Sequence, residues 1–422
     1  MNGPEQSSLI FDWAQSGSRQ RDLPAHVMLD DETLRDGLQS PSVIDPPVET
    51  KVEILHLMES FGIETANVGL PGAGARQFEA VSRLCREISV QKMRIRPNCA
   101  ARTLRVDIEP IAEITQRFGV PIEACLFIGS SLIRQYAEEW DLEHLLRHTR
   151  EAIGFAIREG LQVMYVTEDT VRSSPEHLRI LFTAAVDAGA KRLCLCDTCG
   201  AAVPDGVRKL VSWAKSSANE LGSDIGIDWH GHRDRGLDLA NSLAAVEAGA
   251  TRVHGTALGI GERVGNTPME QLLVNLKLLG LRDDDLTRLP EYVATVSRAT
   301  GVAVPANAPI VGRDAFRTAT GVHAAAVIKA QRRGETWLAD RVYSGVPAGM
   351  IGRTQEIEVG PMSGASNVTY YLSSRGLQSD PKVVQAVLLA AKQSNRVLTE
   401  DEILEVVRHT HLAASHSPAE SP

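Results

Sequence analysis

The chain has 422 residues, with 44 basic against 53 acidic side chains and a net charge of −9, so a nucleic-acid surface, which needs clustered excess Lys and Arg, is not expected. Hydrophobic residues make up 43% and charged residues 23%, and no run approaches the roughly 18 apolar residues of a membrane span. Residues 1–23 form a polar N-terminal extension without the apolar stretch of a secretory signal, so cytoplasmic residence is expected, with the six cysteines as reduced thiols.

Short apolar runs are predicted as strands near 27–31, 62–69, 92–97, 122–128, 162–167, 191–196, 225–230 and 251–256, with amphipathic segments between them. A recurring phrase supports this spacing: "AAVDAGAKRL" at 184–193 and "AAVEAGATRV" at 244–253 each read as a helix end, a glycine turn and a strand. Strands joined by helical crossovers run parallel, and so many units in series over about 250 residues predict a closed (β/α)8 TIM barrel over 24–285. Beyond it, 286–411 read as a smaller, mainly helical linker and C-terminal subdomain, with "LPEYVATVSRATG" and "AFRTATGVHAAAVIKAQRRG" helical and the stretch through "YSGVPAGMIGRTQEIEVGPMSG" irregular. Asp380-Pro381 and the capping box Thr399-x-x-Glu402 announce a final helical pair, and 412–422 read as a disordered tail.

In such a barrel the reactive groups stand at the carboxyl ends of the strands. The sequence places Arg35 and Asp36 after the first strand, Asn67 at the second, Arg96 and Asn98 at the third, and Ser130 and Ser131 at the fourth. Glu168 and Asp169 end the fifth, Asp197 and Thr198 the sixth, His230 and His232 the seventh, and Glu262, Arg263 and Asn266 follow the eighth. Side chains two apart on a strand share a face, so His230 and His232 in "WHGHRDRG" can present both imidazoles to one ion. With Asp36 and Asn266 they make a mixed oxygen and nitrogen set open to water or substrate, suited to Mg, Mn, Zn or Fe. The alternative is a hydrogen-bonded His pair in a solvated loop. "GIGERVGN" at 259–266 fits neither phosphate-binding glycine pattern and reads as a tight turn delivering Glu262, Arg263 and Asn266. Cys194-x-Cys196-x-x-Cys199 lacks a second cysteine pair and reads as a buried strand.

"DETLRDG" with Gln39, "HGHRDRGLDLANSLAAVEAGA" and "GTALGIGERVGN" together resemble the metal-dependent acyl-CoA condensing enzymes, the isopropylmalate, homocitrate and citramalate synthases, which are relatives of the 3-hydroxy-3-methylglutaryl-CoA lyases. The resemblance implies a divalent cation (Mg, Mn or Zn) on Asp36, His230 and His232 with Asn266 near or on it, and Arg35 polarising the carbonyl of a 2-oxo acid. It implies Thr198 on the substrate carboxylate, Glu168 as an acidic group at the fifth strand, and His323 and Tyr343 as the subdomain's catalytic pair. Acetyl-CoA or another acyl-CoA would be the cosubstrate of a Claisen-type condensation, and a homodimer is expected by resemblance alone. A lyase or aldolase of the HMG-CoA lyase type is the second reading, although the glycine loop after the eighth strand lacks the lyases' cysteine; a noncatalytic metal-binding barrel is the third. Asn98, Arg102 and Ser130, with Leu70, are expected to line the substrate side-chain pocket, and either Arg102 or Arg76 could reach a second carboxylate. One departure stands out: Asn67 occupies the position where the synthases carry a glutamate that would pair with Arg35. Glu32 or Glu64 could compensate, but Glu64, an odd number of residues from Asn67, should face the other side of its strand.

Overall fold

The computed structural model describes residues 9–13, 24–222 and 224–415. Eight strands, β1 (Met28–Asp31), β2 (Thr65–Asn67), β3 (Arg96–Arg102), β4 (Glu123–Gly129), β5 (Gln162–Glu168), β6 (Arg192–Asp197), β7 (Gly226–Gly231) and β8 (Arg252–Gly255), form a closed parallel barrel in sequence order. β8 closes on β1 with Met28 opposite Arg252 and Asp31 opposite Gly255. The two sequence repeats occupy equivalent places: helix Pro175–Asp187 leads into β6, and helix Asp238–Ala248, ended by the left-handed Gly249, leads into β8. These helices bury their apolar stripes against the strands, as Leu178, Leu181, Phe182 and Val246 show.

β3 begins four residues later than the sequence predicts. Met93 and Ile95 suggest a strand, but the ladder runs from Arg96 to Arg102 and pairs Ala100 with Cys125 of β4. Arg96 therefore stands at the amino end of its strand rather than at the barrel mouth.

The chain divides into two compact units. The first ends at Asp284 and takes in Thr295–Val302; the second comprises Asp285–Ala294 and runs on from Ala303. Within the second unit a helix spans Gly321–Arg332, but Arg317–Thr318, read as helical from the sequence, is a short strand β9 that pairs in parallel with β10 (Glu356–Ile357). The last helices follow their caps. Asp380 accepts from Lys382 N and Val383 N at 2.9 and 3.0 Å. Thr399 and Glu402 exchange the two bonds of a capping box at 3.3 and 2.8 Å. Val368, Leu372, Val387, Leu398 and Ile403 form a core there. Helix Glu400–Ser415 carries regular structure through 412–415, where the sequence suggests a disordered tail; 416–422 and most of the N-terminal extension lie outside the described residues. Among the described residues no helix is long and apolar enough to cross a membrane.

Candidate metal centre at the barrel mouth

Residues 31–37 turn the chain sharply out of β1. Asp31 Oδ1 accepts from Thr33 N at 2.9 Å and Thr33 Oγ1 accepts from Ala257 N at 2.8 Å, which pins this corner to the loop after β8. The turn delivers Arg35 and Asp36 over the barrel mouth. From β7, period-two alternation brings His230 and His232 to the same face.

The three groups converge. His230 Nε2 lies 3.3 Å from His232 Nε2 and 3.4 Å from Asp36 Oδ2, and His232 Nε2 lies 3.8 Å from the same oxygen. Ligand atoms about 2.1 Å from one cation and 90–110° apart stand about 3.0–3.4 Å from each other, so the triangle fits a divalent ion with little adjustment. All three residues are buried. Burial, together with His230, pushes the His232 pKa down to about 4, so its ring is neutral near pH 7, the form that binds metal. Burial would raise the Asp36 carboxyl, but Arg35 and His230 outweigh it and keep it low.

Further groups lack partners here. Asn266 Oδ1 and His232 Nδ1 are buried without a hydrogen bond. A Cβ on Gly261 (φ +156°) would collide with the Asn266 amide and stand 3.2 Å from Asp36 Oδ1, so only glycine lets the loop close on both ligands. These features fit a metal set of Asp36, His230 and His232 with Asn266 at its edge.

Glu32 organises the site from below. Its Oε2 accepts from Arg35 Nη2 at 2.6 Å and lies 3.1 Å from His230 Nδ1, while Oε1 lies 3.1 Å from His254 Nδ1. A carboxylate on Nδ1 fixes the tautomer that exposes Nε2. Burial works against the charge, but Arg35 and His230 hold Glu32 well below the usual carboxylate range. Glu32 thus takes the partner role for Arg35 left open by Asn67. Glu64, by contrast, faces away and binds Arg282 Nη1 at 2.9 Å and Leu29 N at 2.9 Å.

The interior beneath continues as a buried ionic chain that sequence reasoning missed. His254 Nε2 meets Asp228 Oδ2 at 2.9 Å; Asp228 also accepts from Arg192 Nε at 2.6 Å and Arg252 Nε at 2.5 Å, and Arg252 Nη2 reaches Glu123 at 2.6 Å. The available signal was a charged residue two positions from another on an apolar strand: Asp228 with His230, and Arg252 with His254.

A cavity of about 260 Å³ opens beside the metal corner, bordered by Arg35, Asn67, Glu168, Thr198, Glu262 and Arg263 among others. Arg35 Nε is buried and unpartnered. Thr198 Oγ1 accepts from Asp169 N at 2.8 Å, which leaves its own O–H to donate. Burial raises the Glu168 pKa against the opposing Arg134, Arg35 and His230, which makes it a candidate proton-exchanging group at the cavity wall. Glu262 N donates to Asp36 Oδ1 at 3.3 Å. Arg263 clamps the loops after β6, β7 and β8, bonding Thr198 O at 2.6 Å and Asp234 through two nitrogens at 2.9 Å.

Several expected pocket residues lie elsewhere. Asn98 points into the barrel floor and donates to Asp30 Oδ1 at 2.6 Å, because the later start of β3 places it a layer deeper. Ser130 turns outward, bonding Glu168 O and Ser173 Oγ at 2.9 and 2.8 Å. Arg102 is locked to Asp107 at 2.7 and 2.9 Å and borders an adjoining pocket. His323 and Tyr343 belong to the second unit, where their exposed rings stack with centroids 4.1 Å apart. The cysteines are free, and burial pushes the Cys194 thiol well up, as a strand interior should.

A closed parallel barrel with a carboxylate and two imidazoles meeting over its carboxyl mouth is the arrangement of a (β/α)8 enzyme with a candidate site for a metal ion. The chain belongs to the HMGL-like family, whose profile matches residues 26–296. It is 33% identical to homocitrate synthase AksA of Methanopyrus kandleri, across 94% of this chain and 96% of that one. With 2-isopropylmalate synthase of Sulfolobus acidocaldarius it shares 31% identity, across 89% and 93%. Among solved structures, hydroxymethylglutaryl-CoA lyase from Pseudomonas aeruginosa matches 65% of this chain and 93% of its own, with a TM-score of 0.56 and 19% identity, a likeness of fold alone.

Proposed function

We propose that the protein is an acyl-CoA:2-oxo acid acyltransferase that joins acetyl-CoA, or a close analogue, to a 2-oxo acid, after which water hydrolyses the resulting thioester to release CoA and a 2-hydroxy dicarboxylic or tricarboxylic acid. The observation that carries the reading is the Asp36, His230 and His232 triangle beside an arginine whose Nε has no partner. Relatives named homocitrate and isopropylmalate synthases support it because their match spans nearly the whole chain, second unit included. Lyase chemistry has only fold-level likeness behind it.

A divalent cation (Mg, Mn or Zn) bound at the triangle supplies Lewis acidity toward a ketone oxygen. Arg35, held by Glu32, offers its free Nε–H to the negative charge that gathers on that oxygen as carbon attacks. Thr198 can donate to the acid's carboxylate, and Glu168 can accept or return a proton at the cavity wall. His323 and Tyr343 are proposed for proton removal from the acyl methyl group; their support is the resemblance and their stacking on each other. Homodimer formation belongs to the same reading and rests on resemblance; cytoplasmic residence is proposed with it from the polar composition of residues 1–23.

The test is to load the protein with Mg or Mn, supply acetyl-CoA and a panel of 2-oxo acids, and follow free thiol with the product identified by mass. Thiol release that requires the acid supports the reading. Cleavage of a 3-hydroxyacyl thioester with no CoA released would instead favour the lyase.

A further inference from the structure

We infer that the 2-oxo acid taken by this site carries an uncharged, apolar side chain larger than a methyl group, and is not a second dicarboxylate. The inference rests on the condensation proposed above and deepens it by naming the substrate class. The cavity has two unlike walls. One is the charged corner of Arg35, Asp36, His230 and His232, which suits the keto-acid end that every 2-oxo acid shares. The other is built from Leu70 in the turn after β2 and from Ala100, Phe127, Met164 and Val166 on β3, β4 and β5. A carboxylate against that wall would leave water without a cation to receive it, and burying an unpaired anion is strongly unfavourable.

The nearby cations are already engaged. Glu32 and Asp36 hold Arg35 at 2.6 and 3.4 Å, and Asp234 holds Arg263 at 2.9 Å. In the adjoining pocket, which shares Phe127 and Glu168 with this cavity, Asp107 holds Arg102 at 2.7 Å and Glu138 holds Arg134 at 3.0 Å. Glu168 itself, when ionised, repels an anion placed between the two pockets. Asn67, a neutral polar group of the same lining, is buried, and neither Oδ1 nor Nδ2 has a partner. Its amide is neutral, so it can direct a hydrogen bond without favouring a charge. Because the apolar groups come from three consecutive strands and the turn before them, a methyl group on a keto acid held at the charged corner cannot cover them. Each further methylene buried there should tighten binding by about fourfold.

Titration calorimetry of the Mn-loaded protein with pyruvate, 3-methyl-2-oxobutanoate, 3-phenyl-2-oxopropanoate and 2-oxoglutarate tests the inference, with thiol release from acetyl-CoA measured in parallel. The branched or the aromatic acid should bind at least tenfold more tightly than pyruvate and 2-oxoglutarate, and Arg134→Ala should leave that affinity within twofold. Tightest binding of 2-oxoglutarate, weakened by Arg134→Ala, would overturn it by showing that Arg134 leaves Glu138 to hold a distal carboxylate; tightest binding of pyruvate would overturn the size requirement. The two readings fail separately. An apolar acid that binds tightly without thiol release sinks the condensation and leaves the pocket assignment standing, whereas condensation of 2-oxoglutarate does the reverse. If no 2-oxo acid binds the metal-loaded protein, both fall.

Discussion

The polar cluster at the barrel mouth and the ionic chain around Asp228 on its floor are both buried, yet they are satisfied to very different degrees, although beside that chain Asp30 Oδ2 and Asn98 Oδ1 also lack a hydrogen-bond partner. On the floor, Asp228 is shared by Arg192, Arg252 and His254, with Glu123 on the far side of Arg252. At the mouth, Asn266 Oδ1, His232 Nδ1, Arg35 Nε and both polar atoms of Asn67 have no partner. Native interiors leave few such atoms, and a cluster of them asks for a ligand. Charge on the floor is therefore structure, and charge at the mouth is capacity held for something that binds. The electrostatics agree. Burial acts against ionisation of Asp228, but Arg192 and Arg252 hold its carboxyl far below the usual range; His254, disfavoured as a cation by burial, is held well above its usual value by the carboxylates Asp228 and Glu32 on its two nitrogens.

The sharpest break of this comparison pairs one substitution at each level. Asp36→Ala or His230→Ala should reduce turnover by about a thousandfold or more, roughly 4 kcal/mol of barrier. It should also abolish metal binding while leaving a cooperative fold. In the unaltered protein, Mn at about 100 times its dissociation constant should add about 2.7 kcal/mol of stability; His232→Ala should show none of that gain in the same thermal melts. Asp228→Ala on the floor should do the opposite, costing about 3–5 kcal/mol of folding stability because two arginines lose a buried partner. If the mouth variant unfolds and the floor variant merely slows turnover, the assignment of roles is inverted.

How much of this the sequence discloses follows the same division. His230 and His232 are legible because strand alternation is a local rule, and Asp36 because a charged corner after an apolar strand is unusual. The barrel is legible through its repeats. The floor is not, since Arg192, Asp228, Arg252 and His254 lie on three strands, and nothing local says that one charged side chain on an apolar strand faces another. The same gap misplaces β3. A strand whose inward side carries Asn98, whose Nδ2 is bonded only to Asp30, does not look like a strand until the barrel closes. Ser130 shows the reverse error, for it stands at the right height but faces the wrong way.

Glu270 refines the comparison with a carboxyl that is buried and bonded to backbone, with Arg233 acting on it too weakly to offset burial. Burial pushes its pKa from 4.5 up to about 7, against the backbone amides of Glu270 and Leu258 that favour the charge. A raised carboxyl pKa means the folded state binds the proton more tightly than the unfolded chain. Stability from this group is therefore complete below pH 4.5, declines as pH rises, and has gone above about pH 7. The span is on the order of 3 kcal/mol. Glu270→Gln should keep the bond from Leu258 N out of the titration, flattening urea-unfolding free energies between pH 5 and 7; an unchanged slope would show that Glu270 is already ionised in the fold.

The smallest expected effect separates the two levels most finely, because Asn67 is buried like the floor and unpaired like the mouth. Left without a partner in the free protein, its amide costs the fold about 1–3 kcal/mol of desolvation that a bound acid can return. Asn67→Leu should accordingly stabilise the protein by about 1 kcal/mol in thermal unfolding and raise the KM for the 2-oxo acid about fivefold, with little change in kcat. That combination, a gain in stability bought with affinity, is what a binding residue predicts. Should Asn67→Leu lower both the melting temperature and the affinity, Asn67 has a structural partner after all and belongs with Asp228 rather than with Asn266.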